Sequence, residues 1–135
     1  MRHFTIGTVV ALIAVFALAG SALAAKPSSS LTLVVLSDTV GALSVSGPVH
    51  GGEISFDVST TQTDRPFVNV RCYQDGVWVY DGWHGFFESY VPDPVYTLAS
   101  TYWTEGAADC GARLLAWGKN GSWKTLATTN FQVTE

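Results

Sequence analysis

Apolar and polar residues alternate along several short runs of this chain, and the clearest of them spans residues 67–80. Phe67-Val68-Asn69-Val70-Arg71-Cys72-Tyr73-Gln74 and Val77-Trp78-Val79-Tyr80 flank an Asp75-Gly76 pair. Period-two alternation marks strands. Asp-Gly between them marks a two-residue type I′ turn, because both central positions need positive φ and glycine adopts it without steric cost. The turn sets an expected register: Gln74 faces Val77, Tyr73 faces Trp78, Cys72 faces Val79, and Arg71 faces Tyr80. Val68, Val70, Cys72, Val77 and Val79 then share a core face. Asn69, Arg71, Tyr73, Trp78 and Tyr80 share the opposite face, which is amphipathic and aromatic.

The pattern continues on both sides. Residues 31–36 are a continuous apolar run, as in a buried strand. Residues 41–52 are rich in Gly, Ser and Pro, with a short strand at 42–45 and a turn around Gly47-Pro48 and Gly51-Gly52. At 53–59, Ile54, Phe56 and Val58 alternate with Ser55, Asp57 and Ser59, the signature of a half-buried antiparallel strand. Residues 83–90 fit either an extension of the hairpin or an aromatic loop. Pro92-Asp93-Pro94 stops them, a strand follows at 95–100, and 101–107 connect onward. From 108 to 117, Ala108, Cys110, Ala112, Leu114 and Ala116 face inward, while Asp109, Arg113, Leu115 and Trp117 face outward. Asn120-Gly121 marks a second hairpin turn. The last strand, to about Val133, places Trp123, Thr125, Ala127, Thr129, Phe131 and Val133 on one face and Lys124 and Leu126 on the other. No helix-period run follows the N-terminal segment. About seven short strands punctuated by turns predict an all-β antiparallel sandwich.

Composition adds a compartment. Residues 1–24 begin with a basic Arg2, continue through an apolar run at 8–19 and end in Ala22 and Ala24, the pattern of a cleaved secretory signal peptide. The apolar run is shorter than the ~20 residues that span a bilayer. No cysteine follows it to carry a lipid, so no stable membrane anchor is expected after cleavage. Residues 25–30 then read as a polar leader, and 31–135 as one domain. Of seven Lys/Arg, only Arg2 leaves with the signal peptide. Six remain against eleven Asp/Glu, a formal charge of −5. That charge excludes nucleic acid, which requires a basic stripe. Cys72 and Cys110 are the only cysteines, and in an oxidising compartment they are expected to pair. Two cysteines without a nearby histidine cannot supply a zinc site, so no metal or cofactor is expected.

Three stretches together carry a family resemblance. Val68-Asn69-Val70-Arg71-Cys72-Tyr73 precedes a hairpin, Ala108-Asp109-Cys110-Gly111-Ala112-Arg113-Leu114 follows, and the chain closes with Phe131-Gln132-Val133. This arrangement resembles the Ig-like and fibronectin type III-like modules of exported bacterial proteins. It departs from true immunoglobulin domains, where the cysteines lie further apart, bridge opposite sheets and pack on a downstream tryptophan. The resemblance therefore implies Cys72 on a C-type strand and Cys110 on an F-type strand, neighbours in one sheet.

The expected site is the outward face of that sheet. Arg71, Tyr73, Trp78 and Tyr80 would join Arg113, Leu115 and Trp117, with Lys124 and Leu126 alongside. Tyr, Trp and Arg anchor binding surfaces, and a patch of this size on a monomer tends to mark a contact. The competing explanation is ordinary cross-strand packing, such as a Tyr73–Trp78 pair or an Arg71–Tyr80 cation–π contact. The expected function is a secreted or envelope-located, non-enzymatic binding module for a protein or glycan at the cell surface. Two alternatives are a self-associating structural spacer and a small inhibitor or effector acting through residues 81–94. His84 and Glu88 could do acid–base work in an aromatic loop, but no nucleophile or metalloprotease motif accompanies them. Asp38, Asp57, Asp64, Asp81 and Asp93 lack calcium-loop spacing and read as turn residues. Asn120-Gly121-Ser122 fits a glycosylation sequon as well as a turn.

Overall fold

The computed structural model describes residues 25–37 and 47–135. The signal peptide expected at 1–24, the short strand expected at 42–45 and Asp38 lie outside the described residues. Seven strands follow in order: β1 (Ser29–Ser37), β2 (Glu53–Thr60), β3 (Phe67–Gln74), β4 (Val77–Gly85), β5 (Tyr96–Thr97), β6 (Ala108–Trp117) and β7 (Trp123–Val133). They form two antiparallel sheets, ordered β1-β2-β5 and β4-β3-β6-β7. Between the sheets lies one core. Leu31, Ile54, Phe56, Tyr96 and Leu98 meet Val68, Val70, Cys72, Leu114 and Val133, and Trp103 fills one end from the connection before β6. Each fully buried aliphatic or aromatic side chain contributes roughly 1.5–3 kcal/mol relative to exposure.

Turn chemistry decides the two hairpins. Asp75 and Gly76 have φ of 49° and 79°, as a type I′ turn requires. The second hairpin is built differently. Gly121 N–H donates to the Gly118 carbonyl (3.1 Å), Gly118 N–H donates to the Ser122 carbonyl (2.8 Å), and Gly121 alone takes positive φ, 76°. This is a tight turn followed by a left-handed residue, with glycine placed where the strain would fall.

Cys72 and Cys110 are bonded and lie directly opposite each other on β3 and β6, with Cα atoms 4.1 Å apart. The bridge thus joins neighbours within one sheet. A second tie crosses between sheets: the buried Tyr96 hydroxyl donates to the Val68 carbonyl at 2.8 Å. At the end of the sandwich, His50 N–H donates to the Thr134 carbonyl (2.8 Å) and Thr134 N–H to the Pro48 carbonyl (3.0 Å), so a short parallel bridge lies against the chain just after β7.

The register departs from strict alternation at three places among the described residues: Leu36 is extra near the end of β1, and two bulges lie in the four-stranded sheet. In β4, Trp78 faces Tyr73 as expected, but Cys72 then faces Tyr80 and Arg71 faces Asp81, because Val79 is an extra residue. In β7, Leu115 faces Thr125 and Leu114 faces Ala127, because Leu126 is extra. A bulge inserts one residue into one strand and reverses the face assignment beyond it. Tyr80 therefore turns inward, and Trp83 turns outward. Trp123 and Thr125 likewise lie on the outer face, apart from Ala127, Thr129, Phe131 and Val133. Lys124 and Leu126 leave the outer face: the Lys124 ammonium donates to Gln62 Oε1 (2.8 Å) in the loop after β2, and Leu126 packs against the core.

Smaller expectations also change, and one left open is settled. Val77, placed in the core by alternation, sits beside the turn and is 65% exposed. β1 is an edge strand, so Val35 and Leu36 of its apolar run remain partly exposed, and it already begins at Ser29 within the segment read as leader. The strand expected at 95–100 shortens to β5. Residues 83–85 prolong β4, and the chain turns only after Gly85.

Candidate functional site

The outer face of β4-β3-β6-β7 is ordered in rows that cross the four strands. The first holds Trp78, Tyr73, Asp109 and Gln132; the second Asp81, Arg71, Gly111 and Asn130; the third Trp83, Asn69, Arg113 and Thr128. Phe67 and Leu115 come next, and Trp117 opposite Trp123 ends the ladder.

Indoles dominate that far end. Trp83 and Trp123 rise from opposite edges of the sheet, yet their rings are 5.4 Å apart, so they meet above the two central strands. Trp123 also lies 4.9 Å from Trp117 and 5.3 Å from Phe67, ring centre to ring centre. Beneath this roof Leu115 is 2% exposed, although it points away from the core. The roof itself is open to solvent, with Trp117 59%, Trp123 41% and Trp83 37% exposed. Its rings are inclined by 44° and 75° to one another, which makes a faceted ridge instead of a flat platform. The edge-to-face geometry is the one that ring quadrupoles favour, so part of this cluster stabilises the hairpin whatever else it does.

A polar network fills the middle. Arg113 Nη2 donates to Asn69 Oδ1 at 2.8 Å, and the Asn69 amide donates to Asp81 Oδ1 and to the Gly82 carbonyl. Asn69 is thereby satisfied at three points, which explains how an amide survives almost complete burial. Arg71 Nε lies 3.5 Å from Asp81 Oδ2, and its guanidinium carbon sits 5.7 Å from the centre of the Trp78 ring. Trp78 is fixed on its own side by an Nε1 hydrogen bond to the Tyr80 carbonyl (2.8 Å). Arg71, Tyr73, Trp78, Arg113 and Trp117 are thus all brought to this face.

Tyr80 is not. The Val79 bulge turns it toward the core, where its ring meets Trp103 edge-on at 6.4 Å. Burial pushes its phenol above the usual value, with the Asp81 carboxylate adding to the effect. The Tyr96 phenol is raised further, by burial first and then by Tyr80. His84 belongs to β4, not to a loop. Its ring stands edge-on to Tyr96 at 4.7 Å with a buried, unpartnered Nδ1, while Glu88 is exposed in the turn beyond. Among the described residues, no group of three His, Cys, Asp or Glu side chains is arranged to hold a metal ion.

Sequence reasoning missed Trp83, Trp123, Asn69 and Gly111. The first two were hidden by the bulges. Asn69 gave no sign of its network, since its partners come from β4 and β6. Gly111 did carry a signal, being a glycine in the interior of an otherwise regular strand. No protein-family model matches the chain, and neither the curated proteins nor the solved structures compared with it contain a significant match.

Proposed function

We propose that the chain is exported, loses residues 1–24, and works as a non-enzymatic Ig-like module that holds a cell-surface protein or glycan on the outer face of β4-β3-β6-β7. One observation carries this: Trp83, Trp117 and Trp123 gather in the open on one face, in a fold whose core is already filled without them. Exposed apolar patches rimmed by polar groups mark interaction sites, and tryptophan, tyrosine and arginine are the residues most enriched in binding hot spots. The buried disulfide supports export, because such bonds persist in oxidising compartments.

The strand order supports the Ig-like assignment. Lettered A, B, C, C′, E, F and G in chain order, the sheets become A-B-E and C′-C-F-G. That is the seven-stranded sandwich with its fourth strand moved to the second sheet.

The test is binding of the purified protein to isolated cell envelope and to immobilised glycans. A Trp117→Ala/Trp123→Ala double variant that keeps its fold should bind about tenfold or more weakly, the effect of losing one hot-spot residue or more. Wild-type affinity in that variant refutes the proposal. Export is checked separately by the mass of the released protein, which should lack residues 1–24.

A further inference from the structure

The centre of the outer face is a trench. Its floor is Gly111, which lies on a central strand between Arg71 on β3 and Asn130 on β7. The walls are Arg71, Tyr73, Arg113, Thr128 and Asn130. On the side away from Arg113, the depression continues past Asp109 and Gln132.

Nothing in the backbone asks for this glycine. Gly51, Gly76, Gly106 and Gly121 have positive φ; Gly111 does not. A Cβ there would come within 3.1 Å of Asn130 Oδ1, the far end of a flexible side chain, and 4.0 Å of the Thr129 carbonyl. Alanine would therefore fit with a small adjustment. Glycine in the interior of a strand is destabilising relative to alanine, and it commonly marks a place where another molecule approaches the backbone closely. What the glycine provides here is depth.

The charge at the trench is unusual for this protein. Two of the six cations that follow residue 24 converge on it, in a chain carrying eleven carboxylates. Asp81 offsets Arg71 at 3.5 Å. Arg113 is different. Its hydrogen-bond partner is the neutral Asn69 amide, and among the described residues it makes no ion pair. A half-buried guanidinium held in place by a neutral amide keeps its full charge and several of its five donors. Asp109 lies at the other end of the trench, where it accepts from Gln132 Nε2 at 3.1 Å.

We infer that the trench over Gly111 is a subsite for the carboxylate of an acidic polysaccharide, with Arg113 as its principal cation and Arg71 beside it. This rests on the binding-face reading and specifies its ligand. A planar carboxylate accepts two parallel hydrogen bonds from a guanidinium, a geometry an ammonium cannot match. Tyr73 offers a ring face to a sugar, and Thr128 and Asn130 offer a hydroxyl and an amide to its hydroxyl groups. From Gly111 to Trp117 six residues of β6 cover roughly 20 Å, so one polymer could occupy the trench and the tryptophan ridge together.

The position of the trench favours a glycan over an acidic peptide. Peptides add to sheets at open edges through main-chain hydrogen bonds. Gly111 lies between two paired strands, where the main-chain groups are already used, so the trench offers only side chains and ring faces.

The experiment is calorimetric titration of the purified protein with three polyuronates, namely polygalacturonate, alginate and hyaluronan, with methyl-esterified polygalacturonate and polyglutamate as comparisons. The expected result is binding to at least one polyuronate. The methyl ester and polyglutamate should each bind at least about tenfold more weakly, and Arg113→Gln should lose about tenfold while remaining folded, with a lowered melting temperature because the buried Asn69 Oδ1 loses its donor. Arg113→Lys should recover only part of that loss. Gly111→Val, which fills the floor, should behave like Arg113→Gln; since it could disturb folding, the arginine variants decide the matter alone.

No binding to any of the three polyuronates overturns the inference. So does equal binding of acid and ester, polyglutamate binding as tight as the best polyuronate, or an Arg113→Gln variant with wild-type affinity. If binding to envelope or to a neutral glycan survives Arg113→Gln but is lost with Trp117 and Trp123, the trench assignment fails while the binding face stands. If the tryptophan variant also binds at full strength, both fail.

Discussion

Tyr96 is the most direct test of how the two sheets are held together. Its ring is 1% exposed, and its hydroxyl donates to the Val68 carbonyl of the facing sheet at 2.8 Å. Phenylalanine at this position keeps the ring and removes the donor, leaving a buried carbonyl short of a partner. That should cost about 1–3 kcal/mol at pH 7. The same phenol predicts a pH dependence. In the unfolded chain tyrosine ionises near pH 10, whereas burial holds the folded Tyr96 neutral well above that. The stabilising difference is therefore present in full below about pH 10 and is lost as the pH rises above it, because only the unfolded chain then releases the proton. Each such group removes about 1.4 kcal/mol per pH unit. Tyr80, also raised, contributes to both proteins and cancels in the comparison. Urea unfolding of the wild type and of Tyr96→Phe from pH 7 to 11.5 should show a wild-type advantage that shrinks once the pH passes 10. An advantage that stays constant to pH 11.5 would refute the reasoning, since it would mean that Tyr96 ionises as freely folded as unfolded.

Three further outcomes follow from the same geometry. Gly82→Ala would place a Cβ 2.7 Å from Tyr80 Oη and 2.9 Å from Tyr96 Cδ1, so it should destabilise by about 1–3 kcal/mol in a thermal melt, unlike alanine at Gly111, which should be close to neutral. Replacing Cys72 and Cys110 together by alanine opens a loop of 38 residues and should cost on the order of 4 kcal/mol by the chain-entropy account; the folded wild type should show no thiol to a thiol reagent. Trp123→Ala removes an edge-to-face partner of both Trp117 and Phe67 and should lower stability by about 0.5–1.5 kcal/mol per pair in urea unfolding, with a change in tryptophan fluorescence.

What the chain discloses about itself depends on local chemistry. Asp75-Gly76 declares its turn because positive φ at two successive positions suits few residues, and the structure has it. The Cys72–Cys110 pairing and the inward run from Ala108 to Leu114 were also legible, since β6 keeps period two without interruption. β4 and β7 do not. Val79 and Leu126 look like ordinary members of alternating strands, and no residue type announces a bulge where the extra residue is itself apolar and at least partly buried. Alternation alone thus puts Tyr80 on the surface and groups Trp123 with Ala127 and Phe131. Alternation places Leu115 outward, as the structure has it, yet its burial depends on Trp83, thirty-two residues earlier, and on Trp123 across the β6–β7 hairpin. Asn69 illustrates the same limit: its partners Asp81 and Arg113 are its neighbours only through sheet register.

The bulges at Val79 and Leu126 also bear on how such a domain can change over generations. Substitution alters one side chain at a time, but gaining or losing a single codon in β4 or β7 exchanges inside for outside for every residue as far as the strand's end. Tyr80 and Trp83, beyond the Val79 bulge, hold their present sides by that parity alone. A lineage could therefore move aromatic rings between interior and exterior without acquiring a new aromatic residue, so among descendants of this chain the spacing of tryptophans within a strand would carry more information than their number.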